Sequence, residues 1–148
     1  MIGILLVSHG KMADGMKDSL RLVAGESEGL DTASLVAGQD FDAFREEVAA
    51  KIKALDRGGG VLVFVDLFGA SPYNAAMLSF QPLREAGISI RVVTAMSLPM
   101  VMEAIASRGD MPLEELAQSV IEFGRDSIQN PVVDLLSAPS NNEDDGDY

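Results

Sequence analysis

Two residues of complementary chemistry stand where apolar runs end. His9, the only histidine in 148 residues, comes two positions after the run Ile2–Val7, and Asp66 directly follows the run Val61–Val65. An imidazole held by a carboxylate through one ring nitrogen presents the other nitrogen as a nucleophile. A helix beginning near Lys11 would direct backbone N–H groups and a positive dipole end toward it. Ser71, at a second helix start, would add a hydroxyl and further donors. These are the parts needed to accept a phosphoryl group and hold its charge with positioned donors. No residue pattern provides for a nucleotide or a water-activating metal, so a carrier fits better than a kinase. No cofactor and no metal are expected.

Other signatures fail on single residues. Gly10 and Gly15 have the spacing of a P-loop, but Met16 occupies the place of its obligatory lysine. Ala70-Ser71-Pro72-Tyr73 is no nucleophile elbow, because tyrosine replaces the required glycine. Gly58-Gly59-Gly60 precedes its strand, whereas a dinucleotide fingerprint follows one. The absence of cysteine removes disulfides, thiolate zinc sites and thiol nucleophiles together. A net charge of −12 argues against nucleic acid, since neutralising phosphates needs clustered Lys and Arg. The apolar runs fall far short of the ~20 residues that span a bilayer, and without a basic region followed by a cleavable apolar stretch no signal peptide is expected. A single cytoplasmic domain is the expectation.

The elements that must position the pair follow from periodicity. Ile2–Val7 and Val61–Val65 read as strands buried on both faces, as in a parallel sheet. Met12, Met16, Leu20 and Val23 recur at helical spacing and Gly25 suits the stop. Thr32–Ala37 is expected as a second strand, then a helix capped by Asp40 and carrying Phe41, Phe44, Val48, Ile52 and Leu55. Ser71-Pro72 is expected to open a helix with a hydroxyl cap, and Pro82 to end or kink it. Ile88–Thr94 reads as a fourth strand, with helices opening at Leu98-Pro99 and Pro112. Ser127–Leu136 is a candidate antiparallel edge strand weakened by Pro131. The alternation implies an α/β fold, a mostly parallel open sheet with helices on both faces. In the strand order 2-1-3-4, strands one and three are neighbours, and ligands bind outside their carboxyl ends. Residues 1–136 are expected to form one domain and residues 137–148 an acidic, disordered tail.

These residues resemble the IIA component of the mannose/fructose/sorbose-type sugar phosphotransferase system. The matching segments are Ile4-Leu5-Leu6-Val7-Ser8-His9-Gly10, then Val63 to Ala76 with its Asp66-Leu67-Phe68-Gly69-Ala70-Ser71-Pro72-Tyr73-Asn74 core, and Ser97-Leu98-Pro99-Met100. The resemblance covers roughly residues 1–130. It implies that His9 is phosphorylated on Nε2 and that Asp66 orients it through Nδ1. Gly10 and Ser71 would line the phosphate pocket. The donor would be the histidine-phosphocarrier protein, charged from phosphoenolpyruvate by enzyme I, and the acceptor a histidine on a IIB component serving a sugar permease. The resemblance also implies a homodimer with an exchanged C-terminal edge strand. Neither nucleic acid nor direct membrane insertion is expected, and the acidic tail suggests a free-standing IIA.

Two alternatives belong to other classes. One is a regulatory module whose His9 phosphorylation state is read by a partner without onward transfer. The other is a receiver-like domain phosphorylated on Asp66; it lacks the acidic pair after strand one that would hold magnesium, because Ser8-His9 stands there.

Overall fold

The computed structural model describes residues 1–137. Of residues 137–148, expected to be a disordered acidic tail, Ser137 is helical and the rest lie outside the described residues.

Four strands, β1 (Gly3–His9), β2 (Leu30–Leu35), β3 (Val61–Val65) and β4 (Ile90–Val93), form one parallel sheet in the order β2-β1-β3-β4. The helices are α1 (Met12–Ala24), α2 (Phe41–Leu55), α3 (Ser71–Glu85), α4 (Leu98–Ser107), α5 (Leu113–Asp126) and α6 (Pro131–Ser137). β1 is central because its apolar residues face cores on both sides. Ile4 and Leu6 join Leu62 and Phe64 under α1, α4 and α5, with Leu20, Val101, Leu116 and Val120. Leu5 and Val7 join Val61, Val63 and Val65 under α2 and α3, with Phe44, Val48, Ile52 and Leu83. This two-sided burial is what the uninterrupted apolar runs encode. Among the described residues, no helix is long and apolar enough to cross a membrane.

Several sequence expectations need correction. β2 begins two residues before the predicted Thr32, and β4 is shorter than the predicted Ile88–Thr94. Pro82 does not end α3, which runs on to Glu85; the ring is exposed, so the backbone bond it forfeits lies on the solvent side. Ser71 does not cap α3: the cap is Ala70, and Ser71 is the first helical residue. Asp40 does cap α2, accepting the Ala43 N–H at 2.9 Å. Ser127–Leu136 adds no strand to the sheet. Residues 128–130 are irregular, and Pro131, whose fixed φ suits a first helical turn, opens α6.

Candidate functional site

The register of β1 on β3 sets Val7 opposite Val65. Asp66, directly after Val65, and His9, two residues after Val7, therefore emerge together at the carboxyl edge. The His9 ring Nδ1 lies 2.7 Å from Asp66 Oδ2, and the His9 backbone N–H donates to the same oxygen at 2.8 Å. Asp66 Oδ1 accepts the Leu67 N–H at 2.9 Å. Burial by itself would raise the Asp66 carboxyl, but the His9 backbone bond, the His9 ring and the Leu67 bond together hold it below the ordinary carboxylate range. An acceptor-only carboxylate dictates the ring tautomer: Nδ1 carries the proton, and the neutral ring leaves the Nε2 lone pair free. The two partners differ in access. The Asp66 side chain is 8% exposed and that of His9 47%, so the carboxylate is withdrawn and the imidazole faces outward.

The turn after His9 is pinned residue by residue. Gly10 adopts φ +54°, a left-handed conformation that glycine enters at little cost, and its N–H donates to the Leu35 carbonyl at 2.8 Å. Ser8 is fully buried, and its hydroxyl accepts the Ala13 N–H in the first turn of α1 at 2.8 Å. Ser71 stands at the start of α3, half-buried and without a capping bond, and no hydrogen bond joins it to His9 or Asp66. Thus His9 and Asp66 form one bonded unit and Gly10 is fixed beside it by its bond to Leu35, while Ser71 contributes only its place at a helix start after the Asp66 turn.

Three features escaped the sequence reading. Ser8 was part of the strand–His–Gly pattern, but its link to Ala13 depends on how the turn closes. The Met96 N–H donates to the Val65 carbonyl at 3.1 Å, tying the β4–α4 connection to the strand end that carries Asp66. The residue before it, Ala95, has φ +55°. Finally, Leu67 and Phe68, next to Asp66, are 59% and 77% exposed, and the Phe68 ring leans on Tyr73 at a centroid distance of 4.9 Å. Met12 and Val36 are also exposed at this edge. Exposed apolar side chains therefore follow the strand ends at the carboxyl edge that carries His9 and Asp66.

The model of the family described as "PTS system fructose IIA component" matches residues 3–121. The mannose-specific EIIAB component of the phosphotransferase system of Escherichia coli K12 is 28% identical over 144 residues, covering 94% of this chain and 43% of that protein. The chain thus spans less than half the length of that relative. The fructose-specific EIIA component of Bacillus subtilis is 25% identical over 129 residues, covering 87% of this chain and 86% of that protein. Among solved structures, the phosphotransferase system component EIIA of Streptococcus agalactiae superposes with a TM-score of 0.80 at 29% identity, covering 90% of this chain and 99% of that one.

Proposed function

The chain belongs to the fructose IIA family of the sugar phosphotransferase system, and from that premise we propose that it is a phosphohistidine carrier with His9 as acceptor. The observation that carries the reading is the 2.7 Å bond between His9 Nδ1 and a withdrawn carboxylate, on a ring whose other face is open. The donor is the phosphorylated histidine-phosphocarrier protein, and the acceptor is a histidine on a IIB component serving sugar uptake. The lone pair of His9 Nε2 attacks phosphorus; the new N–P bond forms as the donor's N–P bond breaks, and the broken bond's electron pair stays on the donor imidazole. His9 keeps its Nδ1 proton, so the phosphorylated ring becomes cationic. Asp66 offsets that charge and so stabilises the phosphorylated ring; on transfer to the next imidazole the N–P bond breaks, its electron pair returns to Nε2 and the His9 ring is neutral again. Gly10 and Ser71 flank the phosphoryl oxygens. The exposed Leu67 and Phe68 supply apolar contact for protein partners, a composition that suits the centre of a docking surface.

The chain also acts as a homodimer in this reading. Ile128, Val132, Val133, Leu135 and Leu136 are exposed, and β4 has a neighbour on one side only. A cleft of about 400 Å³ beside β4, lined in part by Val92, Met100, Ile121 and Ile128, is an apolar receptor for a second copy.

The test is labelling with enzyme I, the histidine phosphocarrier and radioactive phosphoenolpyruvate. Wild type should take up base-stable, acid-labile label and His9→Ala none. Label that persists in His9→Ala, or that base removes, would overturn the reading in favour of a different acceptor.

A further inference from the structure

The backbone N–H groups from His9 to Ala13 divide into two sets. Those of His9, Gly10 and Ala13 are committed, to Asp66 Oδ2, to the Leu35 carbonyl and to the Ser8 hydroxyl. Those of Lys11 and Met12, lying between them, find no acceptor among the described residues. Lys11 occupies the cap position of α1 without a side-chain capping bond. The cap is supplied instead from inside the protein. Ser8 reaches up from β1, takes the Ala13 N–H at 2.8 Å, and directs its own proton toward the Gly10 carbonyl at 3.4 Å. One fully buried hydroxyl therefore closes both sides of the turn that carries the imidazole.

We propose that Ser8 is a positioning residue for phosphoryl acceptance, fixing the His9–Ala13 turn so that the Lys11 and Met12 N–H groups stay available to the phosphoryl oxygens. This rests on His9 as the acceptor. Ser8 itself touches no reacting atom. An ordinary capping serine or aspartate at position 11 would take the Ala13 or Asp14 N–H from the outside, placing its own side chain where an incoming anion approaches the Lys11 and Met12 donors. A cap from the strand side satisfies the inner donor and leaves the outer ones open. It also ties α1 to β1 at the residue preceding the nucleophile, so that the ring and the donors move as one body. Misplacing such a constellation by about 1 Å can cost up to about a hundredfold in rate.

The experiment compares Ser8→Thr, which keeps the hydroxyl, with Ser8→Val, which matches threonine in shape and lacks it. Single-turnover transfer from the charged histidine phosphocarrier is followed over a range of donor concentrations, with His9→Ala as the reference. Ser8→Val should lower the maximal rate about tenfold or more, leave the half-saturating donor concentration within about twofold, and speed exchange of the Ala13 amide. Ser8→Thr should recover most of the rate. Equal rates in the two variants, or a loss confined to half-saturation, would overturn the role of Ser8. So would Ala13 exchange that speeds up while transfer is unchanged. If Ser8→Val does not fold, Ser8→Ala compared with Ser8→Thr decides by the same criteria. Label retained by His9→Ala would instead overturn the acceptor assignment itself, which separates the two failures.

Discussion

Asp66 Oδ2 accepts two hydrogen bonds from one residue, from the backbone N–H and the ring Nδ1–H of His9. The arrangement fixes the tautomer and the ring's direction together. Asp66→Asn presents an amide where two donors point, so transfer should slow by about tenfold to a hundredfold, measured as a single-turnover rate, with the fold retained by circular dichroism. An unchanged rate would remove the orienting role. The pH dependence has a definite sign. Despite its burial, the Asp66 carboxyl is held below its ordinary value by its N–H donors. A depressed folded value means that the stabilisation is complete above the unfolded value of about 3.9 and fades as pH falls through the lower folded one. Asp66→Asn should therefore cost about 1–2 kcal/mol in urea denaturation at neutral pH, and the gap should narrow as pH falls below the unfolded carboxyl value. A gap that stayed constant would show that the charge contributes nothing. The His9–Asp66 pair was legible in the sequence because parallel strands end side by side, so residues just past two apolar runs meet at one edge. Ser8 was not: what its hydroxyl bonds depends on the closure of a turn, which no periodicity records.

At the scale of elements, β1 enters the sheet through Gly3, and a Cβ there would lie 2.7 Å from the Leu55 carbonyl oxygen and 2.8 Å from Leu55 Cβ. The end of α2 sits directly on the strand and cannot yield without moving its backbone. Gly3→Ala should destabilise the protein by about 1–3 kcal/mol in urea denaturation; a neutral result would mean that α2 docks more loosely than this contact implies. The opposite change is available at Ala95, whose φ of +55° costs a residue with a Cβ about 1–2 kcal/mol. After the greater unfolded-chain entropy of glycine is subtracted, Ala95→Gly should gain about 0.5 kcal/mol, seen as a higher Tm. A lower Tm would assign that residue a packing role. β1 and β3 could be read from sequence because burial on both faces leaves runs without polar interruption. Pro82 misled because a proline ring inside a helix is tolerable when the forfeited bond faces water. Ser127–Leu136 misled because its apolar residues stay largely exposed among the described residues, with none of α6 buried, and pattern alone does not say against what an apolar segment packs.

For the whole molecule, the exposed α6 side chains and the open edge of β4 make self-association the expected state. Sedimentation of the wild type should report a dimer, and Leu135→Asp with Leu136→Asp should shift it toward monomer while leaving the sheet intact; a wild-type monomer at tens of micromolar (~10⁻⁵ M, affinities of about −7 kcal/mol) would refute the homodimer. The layout of the sheet has a further consequence. His9 and Asp66 are 57 positions apart in the chain, and they meet only once β1 has paired with β3 across an intervening strand and two helices. Nothing local can assemble the pair early, and such long-range parallel pairings form slowly. During refolding, competence to take up phosphate should therefore rise in step with the central strand pairing and never ahead of it, so that a nascent or half-folded chain is chemically silent toward its donor.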